Sequence, residues 1–136
     1  MNEDDYDKWN QIKKETVKNN RKLTIKSREI FWVKIGHNIG DEEFGKGEIF
    51  SRPVIVVRQL TSDLFIGIPT TTTQKEENDY FHPFEFQTKK GISKNSAMLL
   101  QLRVFSKKRI TDKIGKLNQE DFKKIQEKVV SLIVPT

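Results

Sequence analysis

The sequence predicts a mainly β fold with flanking helices, and three observations lead to it. About six short runs rich in β-branched and aromatic residues follow one another between residues 29 and 117, most of them joined by short turns. Helical periodicity is confined to the two ends, over residues 4–20 and after Asn118. No strand-like run alternates with a helical one. The order therefore fits a small, SH3-like barrel with an extra N-terminal helix and a C-terminal helix, rather than βαβ units.

The first element is an amphipathic helix. Tyr6, Trp9, Ile12 or Lys13, Thr16 and Val17 recur at three- and four-residue spacing. Asp4, Asp5 and Asp7 open it and Lys18 and Arg21 close it, as the helix dipole favours. From Arg28 the texture changes. Glu29–Ile35 reads as a strand ending at Gly36, and 37–51 as a long polar loop with three further glycines. Pro53–Gln59 and Leu64–Ile68 form a hairpin across Thr61-Ser-Asp63, with Pro53 at a strand start where a missing N–H is tolerated. Neither strand alternates cleanly, so both are expected to be covered on two faces. Pro69–Thr73 is expected to leave that strand. His82–Phe86 is the next strand, Lys89-Lys-Gly91 a turn, and Ala97–Phe105 the longest strand. Ser106–Arg109 reads as one helical turn and Lys113–Leu117 as a closing strand. Asn118 caps a final helix carrying Phe122, Ile125 and Val129 on one face, with Asp121 placed as a capping-box acid.

Residues 1–27 therefore read as a helical extension and linker, and 28–136 as the barrel domain. The chain has 136 residues, enough for one core, and its nine phenylalanines can fill it. Mean hydropathy of −0.67 points to a large polar surface. A net charge of +6 and a pI near 9.5 favour a polyanionic partner, because neutralising phosphates releases counterions. Cysteine is absent, which excludes disulfides, thiolate catalysis and cysteine-type zinc sites. The acidic start lacks a secretory pattern, and no apolar run approaches the roughly 20 residues of a membrane span, so the cytoplasm is the expected compartment.

Familiar catalytic layouts are missing. The glycines of the long loop have neither Walker nor Rossmann spacing, and HExxH does not occur. The two histidines, His37 and His82, have no spaced carboxylates around them, so neither a metal nor any other cofactor is expected. Two places can carry phosphate chemistry. Arg52 stands where the glycine loop joins a strand, with a planar fork of donors suited to phosphate. Thr70–Thr73 present hydroxyls at a strand end, where they can donate to a phosphoryl oxygen.

Taken in order, the residues resemble a known family. The pieces are Ile30-Phe-Trp-Val-Lys-Ile-Gly36, Asn38-Ile-Gly40 with Glu43, Arg52-Pro-Val-Ile-Val56, Ile68-Pro-Thr-Thr-Thr72, Ser96-Ala-Met-Leu-Leu-Gln-Leu-Arg103, and Lys108-Arg-Ile110 through Lys113-Ile-Gly-Lys-Leu117. This ordered set, from about Arg28 to Val130, resembles the MazF/PemK toxins of type II toxin–antitoxin systems. The resemblance implies a homodimeric endoribonuclease that cuts single-stranded messenger RNA and is neutralised by a cognate antitoxin protein. It implies metal-independent attack by the substrate's 2′-hydroxyl, leaving 2′,3′-cyclic phosphate and 5′-hydroxyl ends. The family's catalytic arginine falls on Arg52 and its threonine on Thr71.

RNA contacts are expected from Trp32, Lys34, His37, Asn38, Glu43, Lys46, Thr70, Thr72 and Gln101. Strand alternation leaves open whether Trp32 faces solvent or core. One position departs from the pattern. Leu100 stands where many members carry an acid before the glutamine, so His37 or Glu43 becomes the candidate replacement, His37 being the better base. Two other readings stay in view: a non-cleaving RNA-binding module or gyrase-poison-like toxin on the same fold, and a DNA-binding regulator, which lacks a recognition helix.

Overall fold

The computed structural model describes residues 23–36 and 50–135. The N-terminal helix expected over 4–20, and the glycine loop with His37, Asn38, Glu43 and Lys46, lie outside the described residues. Seven strands and one α-helix follow in order: β1 (Glu29–Lys34), β2 (Ser51–Gln59), β3 (Leu64–Thr71), β4 (Phe81–Thr88), β5 (Gly91–Met98), β6 (Arg103–Ser106), β7 (Ile110–Lys116) and α1 (Gln119–Ile133). They build one curled antiparallel sheet, a half-barrel ordered β4-β5-β3-β2-β1-β7, with β6 also pairing on β3. No helix among the described residues is long and apolar enough to cross a membrane.

The centre of the sheet is apolar on both sides, as the unbroken Val54-Ile-Val56 run requires. Ile30, Ile55 and Ile68 occupy one rung across β1, β2 and β3, and face Phe84, Phe86, Leu99, Leu117, Phe122 and Ile125. The alternate positions Phe31, Val33, Val54 and Val56 face Phe65, Phe105 and Ile110 in a second cluster. Phe65 and Phe105 stack there with centroids 5.6 Å apart. The sheet curls until β7 meets β4. Gly115 lies so close to Phe86 that a Cβ would overlap the ring, so the contact requires glycine.

The helix begins as its capping residues dictate. Asn118 Oδ1 accepts from Asp121 N at 2.8 Å, and Phe122 and Ile125 are buried below. Asp121 has a further role. Its Oδ1 receives Nε2 of the buried His82 at 2.8 Å, while Nδ1 of His82 meets Lys128 Nζ at 3.1 Å. Lysine cannot accept, so Nδ1 is the acceptor and Nε2–H the donor. His82 thus fastens α1 to β4.

Three expectations are corrected. Ala97–Phe105 is not one strand: β5 ends at Met98, a 3₁₀ turn covers Leu99–Gln101, and β6 resumes at Arg103. The break lets Leu99 enter the core while the chain passes from the Thr70–Thr71 end of β3 to its Leu64–Gly67 end. Pro69–Thr71 does not leave β3 but continues it, because Thr70 and Thr71 pair with Ala97 and Ser96 of β5. The polar stretch 91–96, assigned to no strand from sequence, is most of β5.

Candidate active site

The β2–β3 ladder sets the site. Val54 pairs with Pro69 and Ile55 with Ile68. Carrying that register two residues further brings Pro53 level with Thr70 and Arg52 level with Thr71. The first of these rungs is tied by Thr70 Oγ1, which donates to the Pro53 carbonyl at 3.0 Å. Arg52 also pairs with Val33 of β1, and directly opposed residues share a face of the sheet. Arg52 and Thr71 therefore lie side by side on neighbouring strands.

The half-buried guanidinium of Arg52 sits 5.3 Å from the centre of the Phe50 ring. The Phe50 carbonyl in turn accepts from Ile35 N at 2.8 Å, just past the end of β1. Gly36, at φ +91, takes a conformation few other residues adopt, two residues past the end of β1. Thr71 Oγ1 accepts from Thr73 N at 3.2 Å, which leaves its hydroxyl proton to donate.

The other expected contacts divide. Trp32 is 38 % exposed, which settles the choice that alternation left open. Lys34 lies on the same face of β1, and its carbonyl accepts from Arg109 Nη1 at 3.5 Å. Burial, and then the nearby charge of Arg103, hold Arg109 below its ordinary value. Thr72 is exposed just beyond β3. Thr70 is corrected: it is fully buried and its hydroxyl is committed to Pro53, so it supports the site and cannot touch a ligand. Gln101 is exposed on the 3₁₀ turn, with Nε2 3.7 Å from Met98 Sδ. That turn follows β5 on the edge of β3 away from β2, so β3 separates Gln101 from Arg52.

Residues 26–133 match the family model described as the PemK-like, MazF-like toxin of type II toxin–antitoxin systems. The chain belongs to this family. Two solved structures resemble this MazF/PemK-type toxin. One is a MazE–MazF complex from Deinococcus radiodurans, with a TM-score of 0.58 and 14 % identity, covering 84 % of this chain and 99 % of that one. The other is an endoribonuclease in complex with its cognate antitoxin from a mycobacterial species, with a TM-score of 0.61 and 12 % identity, covering 83 % and 99 %. At these identities the likeness is one of fold. No curated protein sequence matches the chain.

Within this MazF/PemK fold, sequence reasoning missed one feature. A cleft of about 490 Å³ opens on the opposite face at the same rim. Trp32, Pro53 and Thr72 line it from β1, β2 and the end of β3, and Phe86, Ser93 and Asn95 line it from β4 and β5. Asn95 is buried, and nothing in its polar setting (Ser93-Lys-Asn-Ser96) announces that.

Proposed function

We propose that this toxin is an endoribonuclease that cuts single-stranded messenger RNA at short sequences, without a metal. The 2′ oxygen of the substrate gives up its proton and bonds to the adjacent phosphorus. The bond from phosphorus to the 5′ oxygen breaks, and that oxygen leaves with a proton. The products carry 2′,3′-cyclic phosphate and 5′-hydroxyl ends. Arg52 stabilises the charge gathered on the crowded phosphorus oxygens, and Thr71 orients the phosphate with its hydroxyl. DNA, which lacks the attacking hydroxyl, is not cut.

The observation that carries this reading is the β2–β3 register, which, continued past the Val54–Pro69 pair, sets Arg52 level with Thr71. A donor fork beside a hydroxyl is what a preorganised oxyanion site needs. The net charge of +6 supplies long-range attraction for the phosphate backbone. Long RNA incubated with the protein in EDTA is expected to yield discrete cuts with cyclic-phosphate ends. Arg52→Ala and Thr71→Ala should slow cutting by about 10²–10³, the usual effect of losing one such donor. RNA left intact by the wild-type protein would overturn the assignment.

The solved relatives, one titled MazE–MazF and the other an endoribonuclease with its cognate antitoxin, support an antitoxin protein as partner here, an acidic one by charge complementarity. We place the toxin in the cytoplasm as a homodimer, with residues 1–27 as an extension to the barrel. Leu100, Val130 and Ile133 are all more than half exposed around an apolar hollow lined by Leu99, Leu102 and Val129, a surface suited to a second copy.

A further inference from the structure

Asn95 is 1 % exposed, and its Oδ1 has no hydrogen-bond partner among the described residues. Its Nδ2 donates to Ser93 Oγ at 2.7 Å, and in this orientation the oxygen is the unused group. A buried acceptor without a partner is costly, and persists where something outside the chain completes it. Asn95 is also part of the wall of the 490 Å³ cleft, a volume within the roughly 300–1,000 Å³ of small-molecule sites. At the mouth stands Trp32, with an exposed indole that can cover a flat ring. Lys89, Lys90 and Lys113 also line the cleft, together with the carboxylate of Asp112.

We propose that this cleft is a nucleobase pocket that selects one base of the RNA next to the cut. This rests on the ribonuclease reading for its substrate and deepens it. The base stacks on Trp32 and donates an N–H to Asn95 Oδ1, while Lys89 and Lys90 hold the flanking phosphate. Position supports the pairing of pocket and site. Pro53 and Thr72 line the cleft and directly follow Arg52 and Thr71 in the chain, one strand step of about 3.3 Å away. A strand crossing this rim can set its phosphate at Arg52 on one face and drop the neighbouring base into the cleft on the other. An acceptor buried in the pocket also gives base choice, because a base that offers no donor at that point leaves Asn95 unsatisfied.

The test uses fluorescein-labelled 2′-O-methyl hexanucleotides, one for each of the four bases, which cannot be cleaved because the nucleophile is blocked. Anisotropy titrations of the full chain are expected to show preference for one base. Asn95→Ala should weaken that complex at least tenfold and change the other three less than twofold, and Trp32→Ala should weaken binding of the preferred base similarly. The melting temperature of Asn95→Ala should equal or exceed that of the wild type, because an unsatisfied buried group is removed. A purely structural asparagine would instead lower it and weaken all four complexes alike. Trp32 is partly exposed, so Trp32→Ala carries the test if Asn95→Ala does not fold. Equal binding of the four oligonucleotides, or an unchanged preference in the folded variants, overturns the pocket. Cut RNA with unchanged preference sinks the pocket alone. Uncut RNA with an Asn95-dependent preference sinks the nuclease reading alone.

Discussion

Thr70→Val isolates the rung that carries the site. Valine keeps the branched shape and replaces the hydroxyl with a methyl group, so the 3.0 Å bond to the Pro53 carbonyl is lost at a fully buried position. Pro53 has no N–H to offer β3, so this bond to its carbonyl is a side-chain tie between the two strands at that rung. Losing it and leaving the buried carbonyl short of a partner should cost about 1–3 kcal/mol. For a domain of this size, each kcal/mol lowers the melting temperature by roughly 3–4 °C, which predicts a fall of about 3–12 °C in a calorimetric scan. The same slack displaces Arg52 relative to Thr71, where a shift of about 1 Å can cost up to 10² in rate. RNA cleavage should therefore drop about tenfold or more in Thr70→Val and recover in Thr70→Ser, which keeps the hydroxyl. An unchanged melting temperature with full cleavage in Thr70→Val would show that the hydroxyl does not set the register at Arg52.

Gly115→Ala should cost about 1–3 kcal/mol in urea unfolding, because the new methyl group meets the Phe86 ring with Gln87 O 3.2 Å away. Asn118→Ala removes the acceptor of Asp121 N and should cost about 1 kcal/mol, with Asn118→Asp keeping most of it. The Lys128 ammonium, hydrogen-bonded at 3.0 Å, holds Glu77 below its ordinary value of 4.5. A depressed carboxyl pKa stabilises the fold above the unfolded value, and that contribution is lost as pH falls through the folded one. The stability gap between wild type and Glu77→Gln, measured as urea midpoints, should be present at neutral pH and close on acidification below about 4.5.

Some of this protein is written in short stretches of its sequence. Glu29–Lys34 and the Val54-Ile-Val56 run could only be strands of a covered sheet, and Asn118 with Asp121 could only open a helix. Arg52 stood out by its place before Pro53 and Thr70–Thr73 as a run of hydroxyls at a strand end, while the family resemblance singled out Thr71. These features depend on propensity and capping, which act within a turn or two of chain. Tertiary structure decided what pairing across the sheet decides. Pairing with β5 kept Pro69–Thr71 in β3, and burial of Leu99 broke 97–105 into strand, turn and strand. Thr70 and Thr71 are the same residue type one step apart, yet alternation sent one hydroxyl to Pro53 and left the other to accept from Thr73 N. Asn95 lay in a polar stretch assigned to no strand and His82 at the start of an alternating one, and only the curl of the sheet and the seating of α1 buried them. Backbone preference is local, whereas the face a side chain takes and the neighbour it finds are fixed by strands far away in sequence. For that reason Arg52 and the threonine run were legible in the residues, and the cleft beside them was not.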